Sequence, residues 1–202
     1  MQFLNETPVA SIIFIFTIIT SIYAFNDQQL YGKFMLHPYT VSKGKNLYTF
    51  ITSGLIHADY MHLFFNLFTF FFFAFSLEKM IGHWQFGLLY FASLILSDIP
   101  SVIKHKNHFW YNSLGASGAI SAVLFSYILF KPLTIIGVMF IPMPAILFAV
   151  LYLAYSWYMA KNAKDNIGHD AHFFGAITGL IFTLIFVPGI VPHFLSSLGL
   201  LG

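Results

Sequence analysis

Three short stretches of this 202-residue chain place polar or ionisable side chains at the mouths of otherwise apolar runs: His57, Asp59, His62 and Asn66; then Gly115-Ala116-Ser117-Gly118-Ala119; then His169-Asp170-Ala171-His172, continued by Gly175 and Gly179. A serine hydroxyl attacks a carbonyl poorly until a neutral imidazole takes its proton, and the same imidazole can return that proton to a leaving amine. Ser117 and His172 are the candidates for that pair. The tetrahedral oxyanion formed on attack needs fixed N–H donors in a dry site. His62, Asn66 and the backbone N–H of Ser117 can supply them.

The spacing says which faces must meet. His62 and Asn66 are four residues apart and share one helical face, with His57 off that line and nearer the helix mouth. His172, Gly175 and Gly179 also share a face, and two glycines there let another backbone approach closely. The run from residue 115 offers matching small residues, Gly115, Ser117, Gly118, Ser121 and Ala122. Pressing the two faces together predicts Ser117 near His172, about one helical turn inside a membrane.

Each feature has a plainer reading. Small-residue patches in membrane helices mostly serve packing, and an intramembrane His or Asn can simply bond a neighbouring helix. The segment also departs from a Gly-x-Ser-x-Gly elbow, since residue 119 is Ala and no strand is expected before it. His57, His62, His169, Asp170 and His172 could instead serve a metal-dependent membrane hydrolase or a metal or proton transporter. That reading needs three or four converging ligands, whereas His57 and His62 are expected to diverge around one helix, and a ligand cage leaves the glycines without a role. No metal or organic cofactor is expected.

The elements that position these residues follow from composition. Only 8% of residues are charged while 58% are hydrophobic and 20% aromatic, against about 25% charged in a soluble domain. The solvent that suits this surface is a lipid bilayer. All nine basic residues are lysines, scattered along the chain with a net charge of +2, so no nucleic-acid partner is indicated. With no cysteine, disulfides and thiolate metal sites are excluded. Residues 1–8 lack a basic stretch, so no cleaved signal peptide is expected.

The fold class expected is all-α: a polytopic membrane protein of one domain, residues 1–202. Its spans are predicted at about 8–25, 47–77, 84–103 (interrupted by Asp98 and Pro100), 114–131, 133–160 and 169–187. Pro142 and Pro144 should kink the fifth span or start it late. The long connection 26–46 carries breakers at Gly32, Pro38 and Gly44 but also Tyr31, Phe34, Met35, Leu36 and Tyr39, which suit a membrane interface. The apolar tail to Gly202 is expected to be interfacial as well. Lys33, Lys43, Lys45, Lys104, Lys106, Lys161 and Lys164 fall on one side of this topology and only Lys79 and Lys131 on the other, so the positive-inside rule would place the first side in the cytoplasm.

Taken together, His57-x4-His62-x3-Asn66, Gly115-x-Ser117-Gly118 and Ala171-His172-x2-Gly175-x3-Gly179 resemble the signature of the rhomboid family of intramembrane serine proteases. Glu78, just after the second run, resembles a family glutamate. The length resembles the minimal six-helix bacterial form. This resemblance implies a six-helix bundle around a cavity opening to the non-cytoplasmic side of a bacterial cell membrane. It implies a Ser117–His172 dyad without Asp, and an oxyanion hole of His62, Asn66 and the Ser117 amide. It also implies a water-retaining role for His57, helix packing at Gly115, Gly118, Gly175 and Gly179, and a gate and cap made of the fifth helix and the 161–170 loop. Substrates would be transmembrane helices of other membrane proteins. A catalytically inactive escort protein of the same fold is the alternative.

Three features depart from the family pattern. Ser121 stands where many members carry an aromatic that stacks on the histidine. The first loop lacks their Trp-Arg pair, and the lysine distribution opposes the family orientation, in which both termini are cytoplasmic.

Overall fold

The structure, a computed structural model, describes residues 2–138, 141–162, 165 and 167–201. A short α1 (Gln2–Glu6) leads into α2 (Pro8–Asn26), followed by three short helices, α3 (Gln28–Phe34), α4 (Pro38–Val41) and α5 (Thr49–Thr52), and a 3-10 turn at Ser53–Leu55. The long helices α6 (Tyr60–Ile81) and α7 (His83–His105) come next, then α8 (Ser117–Phe130). An antiparallel hairpin of β1 (Ile135–Val138) and β2 (Ile141–Pro144) pairs Ile135 with Pro144 and Val138 with Ile141. The chain closes with α9 (Ala145–Asn162), α10 (His169–Phe186) and α11 (Ile190–Ser197).

α2, α6, α7 and α10 are long and apolar enough to cross a membrane, and α8 is a shorter apolar helix. The large side chains Phe64, Phe65, Phe68, Phe71 and Phe72 of α6 face outward, as expected where the surrounding solvent is as apolar as the core. α8 is the centre of the bundle: its residues from Gly118 to Ile128 are all buried, against α6, α7, α9 and α10. Phe70, Leu77, Phe86, Leu89 and Tyr90 fill the core on the α6–α7 side, and Phe125 and Ile128 on the α9 side.

Helix boundaries differ from the hydropathy reading for identifiable reasons. The second long helix begins at Tyr60 rather than near residue 47, because the Asp59 side chain caps it, accepting from the His62 N–H at 2.7 Å. Residues 47–59 instead form the short helical turns and an extended approach. α7 runs unbroken through Asp98 and Pro100, correcting the expected interruption. The fifth long helix starts only after Pro144, its N-terminal approach being taken by the hairpin. Residues 139–140 of that predicted span lie outside the described residues.

Two contacts tie the ends of the bundle. The fully buried Glu78 carboxylate, at the end of α6, accepts from the backbone N–H groups of Val9 (3.1 Å) and Ala10 (2.7 Å), and pairs with His83 Nδ1 at 2.7 Å. It thereby satisfies orphan donors at the start of α2, where a negative charge is also favoured by the helix dipole. At the other end, Leu36 and Ser113 exchange backbone hydrogen bonds of 2.9 Å in both directions. Leu36 and Val41 pack on Val102. The first loop, although it lacks a Trp-Arg pair, is therefore built into the segment that leads to Ser117.

Candidate active site

Ser117 is the first residue of α8. Its backbone N–H belongs to the first turn of a helix, where N–H groups have no intrahelical acceptor and the dipole favours negative charge. The approach is held from below: the Gly115 N–H donates to the Ser53 carbonyl at 2.9 Å. Gly115 sits at φ +109°, a conformation that L side chains rarely adopt, and a Cβ there would lie 2.6 Å from His62 Cε1 and 2.9 Å from its Nε2. The His62 ring thus rests on the glycine two residues before Ser117, and Gly115 is a seat for that ring.

The seam between α8 and α10 is a contact of backbones. A Cβ on Gly175 would meet the Gly118 carbonyl oxygen at 2.1 Å, and one on Gly179 the Ala122 oxygen at 2.2 Å. One turn further, Thr183 Oγ1 donates to Ser126 Oγ at 2.6 Å. The seam therefore repeats every four residues on both helices, at 118, 122 and 126 against 175, 179 and 183. At its upper end a Cβ on Gly118 would lie 3.2 Å from the Ala171 carbonyl and 2.3 Å from Ser97 Oγ of α7. Ser117 and His172 each adjoin one partner of that Gly118–Ala171 contact. Among the described residues no hydrogen bond joins the Ser117 hydroxyl to the His172 ring.

The other candidate residues are placed as follows. Asn66 is buried and its Nδ2 donates to the His62 carbonyl at 2.9 Å. His62 Nδ1 accepts from the Ala58 N–H at 3.4 Å. His57 is fully buried, with Nδ1 3.0 Å from Ser21 Oγ of α2. The expectation that His57 and His62 diverge is corrected: their rings meet edge-on, with centroids 4.9 Å apart. His57 is not on the helix but on the extended approach to it, which folds back over the first turn. Among the described residues, no three His, Asp or Glu side chains converge as a metal site. Of the 161–170 loop, residues 163, 164 and 166, Lys164 among them, lie outside the described residues.

Several residues around His172 escaped the sequence reading. Tyr152 of α9 stacks on the His172 ring, centroids 6.3 Å apart and planes 30° from parallel. Its hydroxyl is 2.6 Å from Ser121 Oγ, and Ser121 Oγ also lies 2.9 Å from the Ser117 carbonyl. Thus Ser121, read from the sequence as part of the small-residue seam, turns toward α9 instead. His169 sits edge-on to His172 at 6.0 Å and to Tyr155 at 5.7 Å. Lys104, at the end of α7, reaches both the Ala160 carbonyl and Asp170 Oδ2 at 3.0 Å, joining the ends of α9 and α10. In the loop between them the Asp165 carboxyl is held below its usual range, first by the Ile167 N–H it accepts at 3.1 Å. The one sequence signal for Tyr152 is indirect, the absence of a ring at position 121.

Four helices long and apolar enough to cross a membrane, among the described residues, around a buried α8 that carries a serine at its N-terminus beside a histidine-bearing helix, fit an integral membrane protein with a polar site near one end. The family model described as the Rhomboid domain matches residues 44–189, which takes in all three polar stretches. The chain belongs to the rhomboid family. It is 34% identical over 140 residues to a Bacillus subtilis (strain 168) protein named "Putative rhomboid protease YdcA", covering 68% of this chain and 66% of that protein. It is 27% identical over 173 residues to "RHOMBOID-like protein 12, mitochondrial" of Arabidopsis thaliana, covering 78% of this chain and 51% of the plant protein. The chain thus spans about half of the plant relative and just under two thirds of the bacterial one.

Proposed function

We propose that this protein is an intramembrane serine protease that cleaves transmembrane helices of other membrane proteins, with Ser117 as nucleophile and His172 as base. The observation that carries this reading is the α8–α10 seam, which brings Gly118 against Ala171 and Gly175 and so sets the two residues on neighbouring turns of touching helices. Family membership and the bacterial relative's printed name support it.

In this mechanism His172 takes the Ser117 proton as Oγ bonds to the scissile carbonyl carbon. The oxyanion so formed is met by the Ser117 N–H at the start of α8 and by donors from His62 and Asn66. Asn66 Nδ2 gives up its bond to the His62 carbonyl to do so. His172 then protonates the leaving amine, which frees the new N-terminus and leaves an acyl ester on Ser117. A water molecule, deprotonated by His172, hydrolyses that ester and restores the hydroxyl. His57, packed on His62, supports the wet side of the site. A substrate helix must unwind here, since lipid offers its freed backbone groups no partners and a polar cavity does.

The proposal includes six spans in a single domain, α8 and α9 crossing with α2, α6, α7 and α10, and a site opening to the non-cytoplasmic side of a bacterial membrane. α9 and the loop after it serve as gate and cap. Both termini are then cytoplasmic and the lysine-rich loops face outward, a bias that an anionic outer surface tolerates.

The test uses the purified full-length chain in detergent, a model transmembrane substrate and a fluorophosphonate probe. The wild type should cleave the substrate and label at Ser117, and Ser117→Ala and His172→Ala should each abolish both. The rate should fall as the pH is lowered and His172 gains a proton, because only the neutral ring accepts one. Cleavage retained in Ser117→Ala but stopped by a chelator would establish metal chemistry instead. A wild type that binds substrate and never labels would establish the inactive escort.

A further inference from the structure

α9 contributes one long polar side chain to the interior of the bundle. Its buried positions are Ala145, Ala149 and Ser156, with Tyr152 partly buried on the same side, while Leu147, Val150, Leu151 and Tyr158 face outward. The Tyr152 ring lies between Phe125 of α8 (centroids 5.5 Å), Phe148 of α9 (5.3 Å) and His172 of α10 (6.3 Å). Its hydroxyl is fixed to Ser121 Oγ, one turn below Ser117. An imidazole has a broad torsional well about its ring bond, so its aim at a neighbouring hydroxyl depends on what lies against its face. Here that surface is carried by a helix other than the two that hold the serine and the histidine.

We infer that Tyr152 is a positioning residue for His172: its ring, tethered through its hydroxyl to Ser121, holds the imidazole in the plane that serves Ser117, and links the placement of α9 to the readiness of the base. This inference rests on the Ser117–His172 reading. Displacing α9 outward would withdraw the ring and free the imidazole, so the base is fully aimed only when α9 is seated.

The experiment is the rate of fluorophosphonate labelling of Ser117 in the full-length chain in detergent, alongside kcat and KM for a model transmembrane substrate. Tyr152→Leu removes the ring and should slow labelling about two- to tenfold, the range expected for one aromatic contact, lowering kcat with KM unchanged. Tyr152→Phe removes only the tether and should slow labelling by a smaller factor; Ser121→Ala removes the tether together with the Ser121 bond to the Ser117 carbonyl and should slow it at least as much. The double variant should be no slower than Ser121→Ala alone, since the tether is already lost there. Placing a ring on α8 with Ser121→Phe in a Tyr152→Ala background should restore part of the lost rate, which a purely structural role for Tyr152 would not allow. Wild-type labelling rates in Tyr152→Leu would overturn the inference. If that variant does not fold, wild-type rates in both Tyr152→Phe and Ser121→Ala would overturn it. A wild type that never labels overturns the dyad and this inference together, and that failure is visible before any Tyr152 variant is measured.

Discussion

The two helices that flank α8 hold it in opposite ways. α10 presses its backbone onto α8 through Gly175 and Gly179, with no side chain between them, and a third turn adds the Thr183–Ser126 hydroxyl bond. α9 shows no such glycine seam. It meets the site through side chains: the Tyr152 ring and hydroxyl, the Tyr155 ring on His169 and, at its end, the Lys104 ammonium on the Ala160 carbonyl. A seam of backbones has no rotamers to relax and nowhere to slide, whereas a few side-chain contacts can be broken and remade separately. The close backbone seam ties the serine- and histidine-bearing helices to each other, and the proposed gate role falls to the helix held by side chains.

The hardest way to break this contrast is to put a side chain into the seam. Gly175→Val would place atoms where the Gly118 carbonyl already stands, and Gly179→Val would do the same at Ala122. Each should abolish the folded state in detergent, read as loss of a monodisperse size-exclusion peak. Changes to the outward positions of α9, such as Val150→Ala, should leave that peak intact. A folded, active Gly175→Val would mean that the seam is not rigid.

Asn66→Ala tests whether the rigid half carries the oxyanion site. It should slow cleavage about a hundred- to a thousandfold, as loss of one such donor does, with an unchanged unfolding midpoint. An unchanged rate would remove Asn66 from the hole.

Glu78→Ala strips the acceptor from two N–H groups at the start of α2, at a cost of about 1–3 kcal/mol for each buried donor left unmet. Denaturation of the variant in mixed micelles should show that loss, while the labelling rate per folded molecule stays at the wild-type level.

The smallest effect belongs to the α9 side. Lys104 and its partner Asp170 are partly exposed, so Lys104→Met should shift stability by less than about 1 kcal/mol. Amide exchange in the last turn of α9 should nonetheless rise, and unchanged exchange there would mean that α9 is held by more than these contacts.

Much of the framework around the candidate site was legible because it is written in short-range patterns. Glycines at 175 and 179 on one face of α10, small residues along α8, and His62 and Asn66 one turn apart each follow from helical periodicity. What escaped was of two kinds: local contacts that hydropathy and helical spacing do not register, and partners distant in sequence. The start of α6 at Tyr60 depends on a cap that hydropathy does not see. The meeting of His57 with His62 depends on an extended approach folding back onto a helix, where residue spacing along a helix has no meaning. Ser121, small and on the right stripe, was assigned to the seam, yet its hydroxyl serves a tyrosine 31 residues later on α9.

By itself the sequence determined the solvent, the rhomboid family and the identities of the polar residues that stand out against an apolar chain, because composition, periodicity and motif spacing are local properties. Tertiary structure alone decided which face of α8 each neighbour takes, that Glu78 caps the start of α2, and that the ring against His172 comes from α9. Those are outcomes of packing, in which each side chain goes to the partner that three-dimensional proximity offers and no run of neighbouring residues specifies.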